Sequence, residues 1–158
     1  VIVISDTSPL CYLVVIGHVD VLPVLYGQIL CPPEVLSECE HPQSPAALRA
    51  WIATPPAWLV IVEAASSWTH SDLARLDMGE AAAIRLAHDQ AADLLLMDER
   101  KGRLIAQRLG FRVSGILGVI ADAARLQLLD FEQAVLKLTQ ETNFRVSPTV
   151  IEAIRSQL

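Results

Sequence analysis

The sequence predicts an α/β fold built on a central, mostly parallel sheet of five strands. Short apolar runs alternate with helix-patterned segments until about residue 127. The runs Val1-Ile2-Val3-Ile4 and Leu94-Leu95-Leu96-Met97 are continuously apolar, as strands covered on both faces are. Each reaches an acid within two residues, Ser5-Asp6 in the first case and Asp98 directly in the second. Open parallel sheets place their ligands outside the carboxyl ends of such strands.

After the first strand, Ser8-Pro9 opens a helix carrying Leu10, Leu13, Val14 and Ile16, and Gly17 stops it. A second short helix is expected from Val19 to Tyr26. Gln28 to Cys31 is the second strand, ended by Pro32-Pro33 because proline lacks the amide that a sheet interior needs. Helix resumes near Glu34. Ser44-Pro45 reads as an N-cap and first turn for a segment ending near Trp51-Ile52. Leu59 to Val62 is the third strand. Asp77-Met78-Gly79-Glu80 opens an alanine-rich helix running to about Asp89, and Leu94 to Met97 is the fourth strand. Glu99 to Leu109 is helical up to Gly110, Phe111 to Val113 is the fifth strand, and Gly115 starts a helix that runs through Gln127. Two tail helices, Phe131 to Thr139 and Pro148 to Ile154 with Ser147 as N-cap, are expected to cover the sheet or to form a dimer contact. Residues 1–158 therefore read as one domain, with sheet and flanking helices over 1–127 and C-terminal helices over 128–158.

Hydrophobic residues make up 53% of the chain and mean hydropathy is +0.41, yet polar residues such as Asp6, His18, Asp20, Gln28 and Glu63 break the apolar runs. None approaches the roughly eighteen residues of a membrane span, so no membrane association is expected. The chain starts at Val1 with no basic region ahead of a small-residue cleavage site, which makes the cytoplasm the expected compartment. Three cysteines without a Cys-x-x-Cys pair argue against a disulfide framework, and the four histidines form no cluster. Twelve basic residues against eighteen acidic ones give a net charge of −6, the wrong sign for wrapping nucleic acid nonspecifically. Any nucleic-acid contact must be local.

Four carboxylates carry the chemistry: Asp6 and Asp98 at strand ends, and Glu38 and Glu80 on helices. Gathered in one place they would repel one another unless a hard cation such as Mg²⁺ or Mn²⁺ neutralised them. Each also has a local reading. Asp6 can cap the first helix, Glu38 can simply be solvated, and Asp98 can cap the helix beginning at Glu99. Asp77-x-x-Glu80 has the spacing of a capping box.

The ordered set resembles the PIN-domain family of nucleases. The matching residues are Val3-Ile4-Ser5-Asp6-Thr7-Ser8-Pro9-Leu10, Pro33-Glu34-Val35-Leu36-Ser37-Glu38, Leu76-Asp77-Met78-Gly79-Glu80-Ala81-Ala82-Ala83-Ile84 and Leu95-Leu96-Met97-Asp98-Glu99-Arg100. The similarity runs from Val1 to about Gln127. It implies a three-layer α/β/α fold with the four acids meeting at one end of the sheet, and Mg²⁺- or Mn²⁺-dependent phosphodiester hydrolysis, usually of RNA. The nearest flavour is the VapC-like toxin subgroup, with its Asp-Thr-Ser-Pro-Leu start and Asp-Glu-Arg-x-Gly-Arg after the fourth acid. Members of that kind often dimerise and pair with a small antitoxin protein. Glu80 stands where many members carry aspartate, and Lys101-Gly102-Arg103 occupies a stretch where a phenylalanine often follows the fourth acid.

On this reading Asp6 and Asp98 are direct metal ligands, with Glu38 and Glu80 closing the cluster or polarising water. The hydroxyls of Thr7 and Ser8 are supporting groups that can orient Asp6 or a metal-bound water, or simply bond nearby backbone, and Arg100, Lys101 and Arg103 are candidate phosphate contacts. Trp51, Trp58 and Trp68 have no interleaved basic residues and read as packing groups. Two other functions remain open. One is a noncatalytic module that grips nucleic acid or a basic protein segment with its acidic end. The other is a phosphatase with an Asp nucleophile, disfavoured because Ser8 stands where haloacid-dehalogenase-type enzymes need a second aspartate.

Overall fold

Each apolar run becomes a strand of only two or three residues. In the computed structural model, which describes residues 1–158, β1 (Val3–Ser5), β2 (Ile29–Cys31), β3 (Leu59–Ile61), β4 (Leu94–Leu96) and β5 (Val113–Ser114) form one sheet. Its order is β3-β2-β1-β4-β5, and every pairing is parallel. Such short strands hold because both faces are covered. Val3, Ile29 and Leu96 enter one apolar cluster, while Ile4, Leu95 and Met97 enter another on the opposite face.

The first cluster is completed by α1 (Thr7–Val15), α2 (Val21–Tyr26), α3 (Pro33–Glu40), α4 (Ala46–Ala53), α7 (Ile116–Arg125) and α8 (Phe131–Glu141). The second is completed by α5 (Met78–Gln90) and α6 (Arg100–Arg108), with a 3₁₀ turn over Ser71–Arg75 leading into α5. Helices thus lie on both faces of the sheet in a three-layer α/β/α arrangement. The last helix, α9 (Pro148–Arg155), has Ser147 as its N-cap and buries no residue fully. No helix is long and apolar enough to cross a membrane.

From β1 the chain builds outward through β2 and β3, then crosses to the other side for β4 and β5. The order therefore reverses between β1 and β4, and the crevice beyond their carboxyl ends is where open α/β sheets hold ligands. Ser5 pairs with Leu96, and the Asp6 amide still donates to the Leu96 carbonyl at 2.9 Å. Asp6 and Asp98 consequently leave the sheet side by side at this switch point.

Several local expectations change. The fifth strand is Val113–Ser114 rather than Phe111 to Val113, because the Phe111 amide is used to close α6 on the Ala106 carbonyl. Gly110, at φ +94°, makes that closure, as Gly17 at φ +80° does for α1; glycine adopts such angles without a Cβ clash. Ser44 is not the N-cap of α4. Its hydroxyl donates to the carbonyls of Cys39 and His41 and so closes the end of α3. The second helix begins at Val21, with His18 and Val19 taken up in the turn after α1. The three cysteines are free thiols, Cys31 and Cys39 buried and Cys11 half-buried. Trp51 packs on Trp58, and Trp68 stacks on His88 at 3.8 Å, so the tryptophans serve packing.

Candidate active site

Beyond β1 and β4 lies a cavity of roughly 210 Å³ with no hydrophobic residue in its lining. Asp6, Glu38 and Glu80 border it together with Thr7, Ser8 and a further acid, Asp77. Glu99 and Lys101 close its remaining side. Asp98 stands outside this lining and borders the two adjoining clefts instead, although its charge is felt at Asp6. The sequence-derived acids therefore gather at one end of the sheet, three in one cavity and the fourth next to it. Asp77, which the sequence marks only as a helix cap, and Glu99, which it marks only as the start of a helix, are further acids of this lining.

Three of the four acids are held by an identifiable side-chain contact. Asp6 takes the N-cap position of α1 but makes no side-chain capping bond, and it is only 4% exposed. Glu38 is half-buried and accepts a hydrogen bond from Thr7 Oγ1 at 3.1 Å. The Thr7 hydroxyl thus orients Glu38, while the Thr7 backbone amide is the group that favours the Asp6 carboxylate. Ser8 lines the cavity without a hydrogen bond of its own. Glu80 is 5% exposed, and the capping box is real: Asp77 Oδ1 accepts from the Glu80 amide at 2.8 Å, and Glu80 Oε1 from the Asp77 amide at 3.3 Å. Asp98 caps a different helix from the one expected. Its Oδ1 accepts from the Ile116 amide at 2.8 Å, at the start of α7, while α6 has Glu99 at its N-cap and no side-chain capping bond.

One oxygen of each strongly buried acid is left over. Four buried side-chain polar atoms have no hydrogen-bond partner, and three of them are Asp6 Oδ1, Glu80 Oε2 and Asp98 Oδ2. An unsatisfied buried acceptor costs about 1–3 kcal/mol, more if charged, so three in one region call for a ligand. Burial pushes Asp6 up to about 7, with the charges of Glu38, Asp77 and Asp98 adding to the effect. It pushes Asp98 up to about 6 against the opposing help of the Ile116 amide and Arg103. Glu80 is raised by burial and then by Asp77, and Glu38 by burial and the Asp77 charge.

Glycines admit these carboxylates. A Cβ on Gly79 would overlap the Glu38 carboxylate, and one on Gly102 would lie 2.9 Å from Glu80 Oε2 and 2.6 Å from Met97 Sδ. At Gly115 it would lie 2.6 Å from Asp98 Oδ1. Three of the acids therefore close on bare backbone, a pattern visible in the sequence only as glycines near acids.

The donor set is entirely carboxylate and hydroxyl oxygen, the chemistry that Mg²⁺ or Mn²⁺ selects, and the three unpartnered oxygens are what a cation would satisfy. As the side chains stand, no group of three His, Cys, Asp or Glu residues is arranged to hold a metal. The residues fit the ion in kind, and ligation requires them to draw together. Of the basic candidates, Lys101 reaches the acidic cavity. Arg103 is half-buried and donates to the Met97 carbonyl at 3.0 Å, which makes it a brace for the strand end. Arg100 is exposed and lines neither the acidic cavity nor the clefts beside it.

No curated protein and no solved structure gives a significant match to the chain. A family model described as a PIN domain matches residues 2–158. That match covers the sheet, the acids at its switch point and the tail helices alike, and the chain accordingly belongs to the PIN-domain family, a nuclease-type fold.

Proposed function

We propose that this chain is a divalent-metal-dependent endoribonuclease and the toxin component of a toxin–antitoxin pair of the VapC-like kind. The observation that carries the reading is the set of three buried carboxylate oxygens without partners, Asp6 Oδ1, Glu80 Oε2 and Asp98 Oδ2, beside an all-polar cavity at the switch point of the sheet. Asp6 and Asp98 would hold Mg²⁺ or Mn²⁺ directly, with Glu80 and Glu38 completing the set. When bound, the cation would neutralise charge on the scissile phosphate and polarise the attacking water.

The chain's own residues set the conditions for that chemistry. Burial of Asp6 and Glu80 lowers the local dielectric, so charge at the site acts more strongly than it would in water. Thr7 fixes Glu38, and the α5 capping box fixes Glu80 by one oxygen while leaving the other for the site. Lys101 supplies the cation at the cavity rim that holds a phosphate against the acidic lining. Homodimerisation and a small antitoxin partner belong to the same proposal, supported by the Asp-Thr-Ser-Pro-Leu start at Asp6 and the net charge of −6, which suits a basic segment.

Replacing Asp6 or Asp98 with Asn tests the assignment. Either variant is expected to fold and to lose Mg²⁺- or Mn²⁺-dependent cleavage of RNA by at least about a hundredfold. Unchanged cleavage by both would reject the assigned roles. Hydrolysis of a phosphate monoester with none on RNA would favour the phosphatase reading instead.

A further inference from the structure

The clefts around the acids continue past them. On the far side of Asp98 lies a cavity of roughly 430 Å³ between the β5–α7 corner and the C-terminal segment. Its apolar wall is Val113, Leu117, Phe144, Val150 and Ile154, and its charged residues are Asp98, Arg103 and Arg145. A smaller cavity of roughly 220 Å³ joins it to the acidic one. That connector shares Ser8 and Glu99 with the acidic cavity and Asp98, Phe144 and Arg145 with the apolar one. One continuous path thus runs from the acids to an apolar chamber rimmed by arginine.

The chamber's outer wall is built. Phe144 meets Tyr12 edge-on at 5.5 Å, its amide donates to Thr142 Oγ1 at 3.1 Å, and the Tyr12 hydroxyl donates to Asn143 Oδ1 at 3.2 Å. Arg145 is exposed and has no carboxylate partner, and only its Nη1 is engaged, by the carbonyls of Phe144 and Thr142. Val150 leaves 45% of its apolar surface exposed at the chamber wall. A flat, largely apolar ring joined through a short polar spacer to an anion is the ligand that matches, and a nucleotide, with its base, ribose and phosphate, is such a group. Two arginines disfavour a basic peptide at this place.

We propose that this chamber is a nucleobase subsite, taking the base of one unpaired nucleotide beside the scissile phosphate, with Arg145 on that nucleotide's phosphate. Bases in an A-form duplex stay stacked and cannot enter such a chamber, so the substrate is single-stranded at this position. The proposal rests on the ribonuclease reading and adds to it the place where one base of the substrate sits.

Scanning a cleavable single-stranded RNA with abasic residues tests it, using the wild-type chain and the variants Arg145→Ala and Val150→Glu, both at exposed positions. One abasic position next to the cut is expected to lower kcat/KM for the wild type about fivefold or more, on the scale of a single stacked base. Val150→Glu is expected to cause a similar loss on intact RNA and no further loss on the abasic one. Arg145→Ala is expected to raise KM more than it lowers kcat, and to flatten the salt dependence of binding by about 0.7 in logarithmic slope. Cleavage with a flat abasic profile, or equal cleavage of duplex and single strand, overturns the subsite while leaving the ribonuclease reading intact. Failure of the wild type to cleave any RNA overturns both.

Discussion

Glu80 divides its two oxygens between two duties. Oε1 closes the capping box at the start of α5, and Oε2 is buried and unpartnered at the site. The spacing Asp77-x-x-Glu80 revealed the first duty and the family pattern the second, and the two look like alternatives only until each oxygen is followed separately. Gly102 makes the arrangement testable, since a Cβ there would stand 2.9 Å from that free oxygen. Gly102→Ala is expected to displace the Glu80 carboxylate, to cut RNA cleavage at least about tenfold and to destabilise by about 1–3 kcal/mol, read by kinetics and by denaturant titration. Thr7→Val separates support from stability. It removes the donor that holds Glu38, so metal affinity is expected to fall about tenfold with little change in Tm. Asp6, Glu38, Glu80 and Asp98 were legible because their residue types recur in a fixed order. The Thr7–Glu38 bond and the bond from Asp98 to the Ile116 amide were not, because both join segments far apart in sequence.

At the scale of the elements, helices were easiest to read where their ends carry a signal. Gly17 and Gly110 marked two stops, whereas α5 and α7 end on left-handed residues that are not glycine, Ala91 at φ 49° and Gln127 at φ 59°. Both close on the same backbone pattern, with the Ala92 amide donating to Ala87 and the Leu128 amide to Ala123. An L-residue in that conformation costs roughly 1–2 kcal/mol, against roughly 0.5–1 kcal/mol for the extra freedom of an unfolded glycine. Ala91→Gly is therefore expected to stabilise the chain by about 0.5–1 kcal/mol, measurable as a higher denaturant midpoint at unchanged slope. The fifth strand was displaced in the sequence reading for a related reason. Phe111 is as apolar as a strand residue, but its amide belongs to the turn that ends α6. The two tail helices also part company: α8 sends Phe131, Ala134, Val135 and Leu138 into the core, while α9 buries nothing fully and is tied to α8 by Arg155 on Glu132. An amide-exchange experiment is expected to show α9 opening well before α7 and α8.

For the whole molecule, parallel strands packed on both faces explain why the sheet was readable from four-residue apolar runs, and the reversal of strand order explains why the acids converge. That convergence has a thermodynamic signature. Asp6 is pushed up to about 7 and Asp98 up to about 6, and Glu80 and Glu38 are raised as well, from ordinary carboxyl values near 4. Between those limits the folded chain keeps protons that the unfolded chain has already released. Stability without metal is therefore fully present below about pH 4 as far as these groups are concerned, and is lost as pH climbs through about 6 and 7. A divalent cation would oppose that slope, because it competes for the same oxygens and binds more tightly as their protons leave. Thermal melts in chelator are expected to show Tm falling between about pH 5 and pH 8, while melts in millimolar Mg²⁺ or Mn²⁺ fall less or rise. At about one hundred times the dissociation constant the cation adds roughly 2.7 kcal/mol, so the two curves separate most at the alkaline end. Asp6→Asn removes the ionisation at the most strongly buried position and is expected to flatten the metal-free curve and to shrink the gap between them. Parallel curves with and without the cation across that range would mean that the acids do not form a metal site.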